Sequence, residues 1–590
     1  MGSGPAHGKR DSMKSRTFYS AITLLAGLVF VAGIVGFWGL TAQNPRTLLT
    51  QGGQEQPLAA QFVPRQSPLM LSILARPDRL WQLRQLLTPA NQRFAARQEW
   101  QSLQQSLETF VGWDYEADVR PWLDEEVTVA VTGADLDHDA DNGLQPGYLA
   151  VLSCRDVTAA REALHRLWQQ RAAQRNLIFE TVSGIALISD RPLSTPGLAR
   201  LAMPESDLAL ETLATAVVSD RYVLVANNAQ VLRQAIAAYR APDVNWAQAA
   251  AYREAITTLP PNRVGWVVAN IPSLLSWLGI EEPSALRPIQ PDGQQVNCLF
   301  VSLQALADGL LGNTALATVS PTTSLSSSAP LPNTSSTMTP LMLLPDTTVF
   351  ATAGQNLSQQ LRALNENISG YQITQQAIAA LLQSWSMDAP TAPAELATAL
   401  QGEYALGLLS GNQPDWALIT QSQTTDLAAV DAFAAHQGIT VNQIETDNQP
   451  ITAWTRLSLK PARNGVPVQL TTEVIAVHTP MQGYEVLSTS LAGLQQILQR
   501  SNQASLVDQT AFARLAETFT TPSQELVYLD WPTLLPALSQ QLPWLRALVG
   551  AAQPLSSHIG PILISSRPSS SSLKTGAIAI QLRENPAKMS

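Results

Sequence analysis

The sequence predicts an α+β protein in which an N-terminal transmembrane helix is followed by two tandem copies of one domain, each built from an antiparallel sheet and helices. Three observations predict this class. An apolar segment near the N-terminus contains no charged residue, short motifs recur later in the chain in the same order, and the candidate strands occur mostly as hairpins. Hairpin strands pair antiparallel, and we expect helices to cover one face of each sheet.

The apolar segment runs from Phe18 to Leu40. As a helix it would reach about 34 Å at 1.5 Å per residue, which is enough to cross a bilayer. Four basic residues and one acidic residue precede it, so the positive-inside rule predicts a cytoplasmic N-terminus and an extracytoplasmic remainder. A cleaved signal peptide is the alternative, but the segment is longer than a usual signal-peptide core and Leu40-Thr41-Ala42 matches a cleavage site poorly.

The repeat is clearest in two motifs. Tyr222–Asn228 (YVLVANN) returns as Tyr484–Ser490 (YEVLSTS) at an offset of 262 residues, and Pro272–Leu278 returns as Pro532–Leu538 at an offset of 260. The chain therefore divides into a basic cytoplasmic N-terminus (1–17), the transmembrane helix (18–40), a juxtamembrane tether (41–61), a first α+β copy (62–318), a Ser/Thr/Pro linker (319–340), a second copy (341–583) and a tail (584–590).

Each copy is predicted to contain an opening strand, a hairpin, a helix, a strand that leads into a helix, a helix that starts at a proline, and a closing hairpin. In the first copy these lie at 68–74, 126–132 with 148–153, 160–168, 222–228, 272–278 and 299–317; in the second at 347–351, 403–409 with 416–420, 427–433, 484–490, 532–538 and 562–582. Proline suits the first turn of a helix, where its missing N–H leaves no hydrogen bond unmade. The absence of a βαβ unit with a Gly-rich turn argues against a Rossmann or P-loop domain.

Composition restricts the function further. A chain of 590 residues with 45% hydrophobic and 14% charged residues fits two packed domains of roughly 250 residues each. The formal net charge is −10, and the basic residues before the apolar segment make the remainder more acidic still. Nucleic-acid binding needs a basic surface to meet phosphates, so we expect no nucleic-acid partner.

Three short motifs resemble a known family: Pro345-Asp346-Thr347, Trp122–Val127 (WLDEEV) and Ser219–Ala226 (SDRYVLVA). They are similar to the cyanobacterial membrane-anchored family labelled domain of unknown function 3352, and the resemblance spans most of the chain beyond the anchor. It implies a cyanobacterial or plastid-type setting. It supplies no catalytic residues.

The loop of the first predicted hairpin carries alternating carboxylates, which can converge oxygen ligands on Ca²⁺ as an EF-hand loop does. They are Asp135, Asp137, Asp139 and Asp141. Counted from Asp137, Asn142 stands where an EF-hand has glycine and Tyr148 where it has the bidentate glutamate. The second copy has no such cluster. A solvated acidic loop is therefore the favoured interpretation, with a weak Ca²⁺ site as the alternative, and we expect no other cofactor.

The cysteines and histidines do not indicate a disulfide or a metal site. Cys154 and Cys298 lie in apolar strand-like runs, which favours two separate buried thiols over a disulfide. The six histidines lack a paired metal-ligand spacing, so zinc or iron is not predicted, and His165 is expected on the solvent side of a helix.

The 14 tryptophans divide into two groups. The first is expected in the core because it lies among Leu and Ala at helical spacing: Trp81, Trp100, Trp168 and Trp246. The second borders turns and is expected to be partly exposed, where it would suit a partner or an acyl chain: Trp113, Trp122, Trp531 and Trp544.

Together these features predict a membrane-anchored, extracytoplasmic protein of the periplasm or thylakoid lumen. We expect it to be non-catalytic, to bind protein partners in the membrane or lumen, and to help assemble or maintain membrane complexes. The alternative is a carrier of a hydrophobic ligand such as a lipid, quinone or pigment, which predicts an apolar cavity in both copies. A third hypothesis, a hydrolase, requires a buried Ser or Cys within hydrogen-bond reach of a His.

Overall fold

A computed structural model of the chain describes residues 47–80, 82, 112–136, 145–173, 175–192, 212–278, 298–317, 338–365, 373–385, 392–411, 415–446, 449–460, 469–499, 504–519, 521, 523–541, 558–567 and 573–583. The predicted transmembrane segment lies outside these residues, as does the linker up to residue 337. None of the helices in the described ranges is long and apolar enough to cross a bilayer.

The fold is α+β, and its described strands form one antiparallel sheet. The strands are β1 Leu69–Ile73, β2 Leu123–Gly133, β3 Gly147–Cys154, β4 Arg175–Val182, β5 Ile185–Pro192, β6 Ala214–Val218, β7 Tyr222–Ala226, β8 Gly265–Asn270, β9 Cys298–Ala305, β10 Gly309–Ala317, β11 Thr348–Gly354, β12 Tyr404–Leu409, β13 Asp415–Gln421, β14 Thr440–Thr446, β15 Gln449–Lys460, β16 Gln469–Met481, β17 Tyr484–Ser488, β18 Glu525–Leu529, β19 Ile559–Ser566 and β20 Leu573–Leu582.

Helices connect and cover these strands. They are α1 Thr47–Gln51, α2 Val157–Ala172, α3 Ala229–Arg240, α4 Ala250–Thr258, α5 Ile271–Trp277, α6 Met338–Leu341, α7 Leu357–Asn365, α8 Ile373–Ser384, α9 Ala392–Ala399, α10 Leu427–His436, α11 Leu491–Gln499, α12 Thr510–Glu517 and α13 Trp531–Gln541. The described residues also form short 3-10 turns, among them Leu58–Phe62, and a π turn at Tyr115–Val119.

The strand order is the same in both halves of the sheet. In the first half the order is β4-β5-β6-β7-β3-β2-β1-β8-β9-β10. In the second half the order is β14-β15-β16-β17-β13-β12-β11-β18-β19-β20, so each strand has its counterpart ten strands later. A shared order of this length means that the two halves have the same topology.

The halves join through β10 and β20, which pair antiparallel from Gly309 opposite Gln581 to Ala317 opposite Leu573. Tracing the register strand by strand from the Tyr222 and Tyr484 motifs makes Gly312 of β10 equivalent to Gly576 of β20. The pairing is therefore symmetric, like the isologous contact of a twofold dimer.

Both faces of the sheet are covered, whereas we expected helices on one face. The first half has one core under α3 and α4 and another under α2, and the second half likewise has two. The reason lies in the strands: all five residues of β7 are buried, so its side chains are apolar on both faces.

Residues 47–62, which we call the N-terminal strap, pack against the first half. Leu48, Ala60 and Phe62 are buried in its cores. The backbone N–H of Gly53 donates to the carbonyl of Arg263 at 2.8 Å. Residues 47–61, which we expected to be part of a juxtamembrane tether, are thus folded onto the body, because their apolar side chains complete its core.

Many predicted local features are present. The opening strands, the hairpins and the proline-initiated helices form where expected. Asn228 caps α3 by accepting from the N–H of Gln230 at 2.8 Å, and Ser490 caps α11 by accepting from that of Gly493 at 2.9 Å. The strands β4–β6 and β14–β16, which extend the sheet at its two ends, were not predicted.

Candidate functional site

A glutamate and a tyrosine lie close together at the same place in both halves. Glu126 directly precedes Val127 of β2, and Tyr222 begins β7, with β3 between them. Glu403 and Tyr484 occupy the equivalent positions beside β13. This pair is chemistry that the duplication retained, so it is the leading candidate for a shared role.

Glu126 is enclosed by the protein, with 1% of its surface exposed. Its Oε1 accepts hydrogen bonds from the backbone N–H of Ala59 at 2.9 Å and the hydroxyl of Thr128 at 3.1 Å. Its Oε2 accepts from the N–H of Leu58 at 3.0 Å. The carboxyl group thereby caps the 3-10 turn of the N-terminal strap from another part of the chain.

Burial raises the pKa of Glu126 to about 7, although its three hydrogen bonds and the charge of Arg221 act in the opposite direction. The β2 backbone around it is held in place as well. The N–H of Glu126 donates to Ser153 Oγ at 2.8 Å, and the hydroxyl oxygens of Thr128 and Ser72 lie in hydrogen-bond contact at 2.6 Å. Hydrogen bonds therefore hold the carboxyl group in place, while burial shifts its pKa toward neutrality.

Glu403 has a different partner. The hydroxyl of Tyr484 donates to Glu403 Oε1 at 2.5 Å. Burial, followed by this bond, raises the pKa of Tyr484 well above its usual value. Thr339 of α6 also reaches Tyr484, and it occupies the position that Leu58 has in the first half, six residues before the bridging prolines Pro64 and Pro345. In both halves, the segment leading into the opening strand therefore meets the Glu–Tyr pair.

A second polar cluster lies between α10 and the sheet. Asp431 Oδ1 accepts from Trp454 Nε1 at 2.7 Å and bonds to His478 Nε2 at 3.0 Å. Burial alone would raise the pKa of Asp431, but the bonds from His478 and Trp454 outweigh it and lower the pKa. His478 is 5% exposed, so this pair orients an imidazole that solvent hardly reaches.

The first half places opposite partners in the same location. Thr215 stands where His478 does, and Asp190 stands where Trp454 does. There Arg171 of α2 donates from Nε to Asp190 at 2.6 Å, and Trp168 Nε1 donates to Thr215 at 2.9 Å. In both halves the cluster holds a helix against the sheet. The carboxylate lies on a strand in the first half and on a helix in the second. A structural role accounts for this exchange.

The predicted Ca²⁺ site falls mostly outside the described residues. Asp135 accepts from the N–H of Gln145 at 3.1 Å, whereas Asp137, Asp139 and Asp141 lie beyond the described ranges. The site stays a prediction. Among the residues that the structure does describe, no three His, Cys, Asp or Glu side chains are grouped to hold a metal ion.

The two cysteines are separate buried thiols, as predicted. Burial raises the pKa of Cys154 above its usual value and that of Cys298 to about 12. A raised thiol pKa lowers the fraction of reactive thiolate, so neither position favours nucleophilic chemistry. His165 is exposed on α2, also as predicted.

The tryptophan predictions had mixed outcomes. Trp168 and Trp246 are buried, as expected. Trp113 and Trp122 were expected to be partly exposed, and this was wrong: both are buried and their rings meet edge to face at 6.1 Å. The turns that they border fold over them. Trp81, Trp100 and Trp544 lie outside the described residues.

Sequence reasoning missed the Glu–Tyr pair and the Asp431–His478 pair. The signal for the first was present, because the first predicted hairpin of each copy begins with a glutamate and the recurring motif begins with a tyrosine in both copies. Nothing local links Asp431 with His478, which are 47 residues apart.

The comparisons with known proteins agree with the motif resemblance. No curated protein and no solved structure matches the chain. One family model matches residues 22–582, that is, nearly the whole sequence. The chain therefore belongs to the family described as protein of unknown function (DUF3352).

Proposed function

We propose that this chain is a membrane-anchored, extracytoplasmic interaction protein that works without catalysis and helps assemble or maintain membrane complexes in the periplasm or thylakoid lumen. The observation that carries the proposal is the symmetric pairing of β10 with β20. It joins two equivalent halves into one body with a continuous sheet. Such a body can contact two copies of one partner, or a twofold-symmetric partner, at the same time.

The N-terminal strap supports a position close to the membrane. The predicted anchor ends at Leu40, and α1 begins at Thr47. Seven residue steps span at most about 25 Å when fully extended. Because the strap is bound to the body from α1 onward, an anchor at 18–40 would hold the body against the membrane surface, within reach of partners in the bilayer.

The structure favours this function over a carrier of lipid, quinone or pigment. A carrier needs open space between sheet and helices. In the first half, the core under α3 and α4 contains Trp246, Tyr252, Trp266 and Phe300, whose rings pack against one another with centroids 5.8 to 6.3 Å apart.

Tagged full-length protein purified from membranes in mild detergent tests the proposal. We expect a partner at a fixed stoichiometry in native mass spectrometry, with chemical cross-links to both halves. A matched variant carries a flexible insertion of about 20 residues within 41–46, which leaves the body unchanged but frees it from the membrane surface. We expect this variant to lose the partner. Recovery of no stoichiometric partner from the unmodified chain would contradict the proposal.

Topology is tested separately. Protease added to sealed membrane vesicles of known orientation should cleave the body only from the extracytoplasmic side. Cleavage from the cytoplasmic side would contradict the proposed location while leaving the fold unaffected.

A further inference from the structure

Besides its buried side chains Leu48, Ala60 and Phe62, the N-terminal strap makes polar contacts with the body at two places. One is the pair of backbone hydrogen bonds from Gly53 to Arg263 and from Gln54 to Leu74, at 2.8 and 2.6 Å. The other is Glu126, whose carboxyl oxygens accept hydrogen bonds from the first two N–H groups of the 3-10 turn. Pro57, the residue before that turn, offers no side-chain cap of its own. The side chains of Ala59, Ala60 and Phe62 attach the turn to the core, and its first N–H groups bond to a carboxyl group that can gain or lose a proton.

The surroundings of Glu126 contain few groups that could neutralise its charge. Arg221 at the start of β7 is the cation whose field reaches it. Tyr222 on β7 and Tyr252 on α4 face it as neutral phenols, and burial raises the pKa of each. The charge of Arg263 opposes the effect of burial on the pKa of Tyr252. Ser72, Thr128 and Ser153 are neutral hydroxyl partners. Among the described residues no cation forms an ion pair with Glu126, so its ionised form is enclosed without a directly bonded countercharge.

We propose that the N-terminal strap is a pH-responsive lock, held tightly to the body when Glu126 is protonated and released more readily when Glu126 is ionised. The buried carboxyl group is the sensor, and the strap it caps is the moving part. The lock would regulate how firmly the body is fixed next to the membrane, so its physiological meaning rests on the proposed function. The lock itself is a property of the folded chain alone.

The sign follows from linkage. Opening of the strap exposes Glu126 to water, where its pKa returns to about 4.5, whereas in the closed form burial holds the pKa at about 7. The closed form binds the proton more tightly. Its advantage is complete below pH 4.5 and is lost as the pH rises through 7. The opening equilibrium should therefore increase by about 70-fold between pH 5 and pH 8.

The second half provides a matched control. Glu403 is half-buried and bonds to the Tyr484 hydroxyl, so it does not cap a turn as Glu126 does. Glu403→Gln therefore removes a carboxyl group from the equivalent position without touching the lock. Glu126→Gln replaces the sensor with a group that cannot ionise.

Hydrogen exchange of the purified full chain, followed by mass spectrometry at residues 47–62 and corrected for the intrinsic pH dependence of amide exchange, tests the proposal. The unmodified chain and Glu403→Gln should both show the increase in strap opening from pH 5 to pH 8, and Glu126→Gln should show none. A pH-independent strap in the unmodified chain, or the same increase in Glu126→Gln, would overturn the proposal.

A second measurement covers the case in which Glu126→Gln fails to fold. Carboxyl carbon NMR of the unmodified chain should show Glu126 titrating near pH 7, and a midpoint below pH 5 would overturn the lock. Neither experiment requires a membrane or a partner. A failed lock is therefore distinguishable from a failed interaction function.

Discussion

Asn313 of β10 pairs directly with Ala577 of β20, and the two residues occupy equivalent positions in the two halves. A local twofold axis therefore passes between them. On either side of this axis, each residue of β10 pairs with the β20 counterpart of the β10 residue that lies equally far on the other side of the axis. The relation makes the whole body symmetric in topology, from the central pair to the end strands β4 and β14.

The central pairing should hold the halves together without the linker. We predict that the chain, cut at a protease site inserted within 319–337, elutes as one species in size-exclusion chromatography under native conditions. The reason is that nine residues of β10 are paired with β20 and the cores on both sides continue across the junction. Elution as two separate fragments would contradict the prediction, and the uncut chain serves as reference.

Gly53 should not tolerate a side chain. A Cβ atom there would lie 1.9 Å from the carbonyl oxygen of Leu74. We predict that Gly53→Ala lowers the free energy of unfolding by about 2–3 kcal/mol, because backbone must move to relieve the clash. Gly133→Ala is the control, since a Cβ at Gly133 has open space around it. Denaturant unfolding measures both, and equal stabilities would show that the strap is not packed as described.

Asp431→Asn should destabilise the second half by about 2 kcal/mol, because Trp454 and His478 lose a charged acceptor. The folded-state pKa of Asp431 is lowered, so its contribution is present at neutral pH and lost as the pH falls below its usual value of 3.8. The gap between the two proteins should therefore close in acid. Asp346→Asn, at an exposed position, is the control and should change stability by less than about 0.5 kcal/mol.

Both thiols should resist alkylation while the chain is folded. At pH 8 the raised pKa of Cys298, about 12, leaves almost no thiolate, and both side chains are buried. We predict no added mass after exposure to iodoacetamide in native buffer and two labels per chain in denaturant. Rapid labelling in native buffer would contradict the burial of these residues.

Local signals in the sequence predicted the central strands well. Apolar runs next to turn residues gave the opening strands and hairpins, and Asn228 and Ser490 marked helix starts because their side chains can accept from free N–H groups. The outermost strands β4 and β14 were missed because most of their described side chains are at least partly exposed. β4 alternates between intermediate and exposed residues and lacks the buried run that marks a central strand.

The candidate site was harder to predict, because burial gives it its character. Glu126 reads as a polar residue at a strand start, and it becomes a buried cap only when a turn 67 residues earlier folds over it. The pairing of β10 with β20 likewise could not be predicted from any local sequence pattern. The 262-residue repeat predicted two like domains, but whether such domains join through a strand depends on which strands end each sheet, and that emerges only from the full topology.

The junction also bears on solubility. β10 and β20 each have one neighbour within their own half, so either half alone would present a row of unsatisfied N–H and C=O groups, which is a template for strand addition by other molecules. Because both halves belong to one chain, the free edge of each half meets the free edge of the other at high local concentration. The chain thereby pairs this border within itself, and in an isolated half a charged or proline substitution there would reduce strand addition.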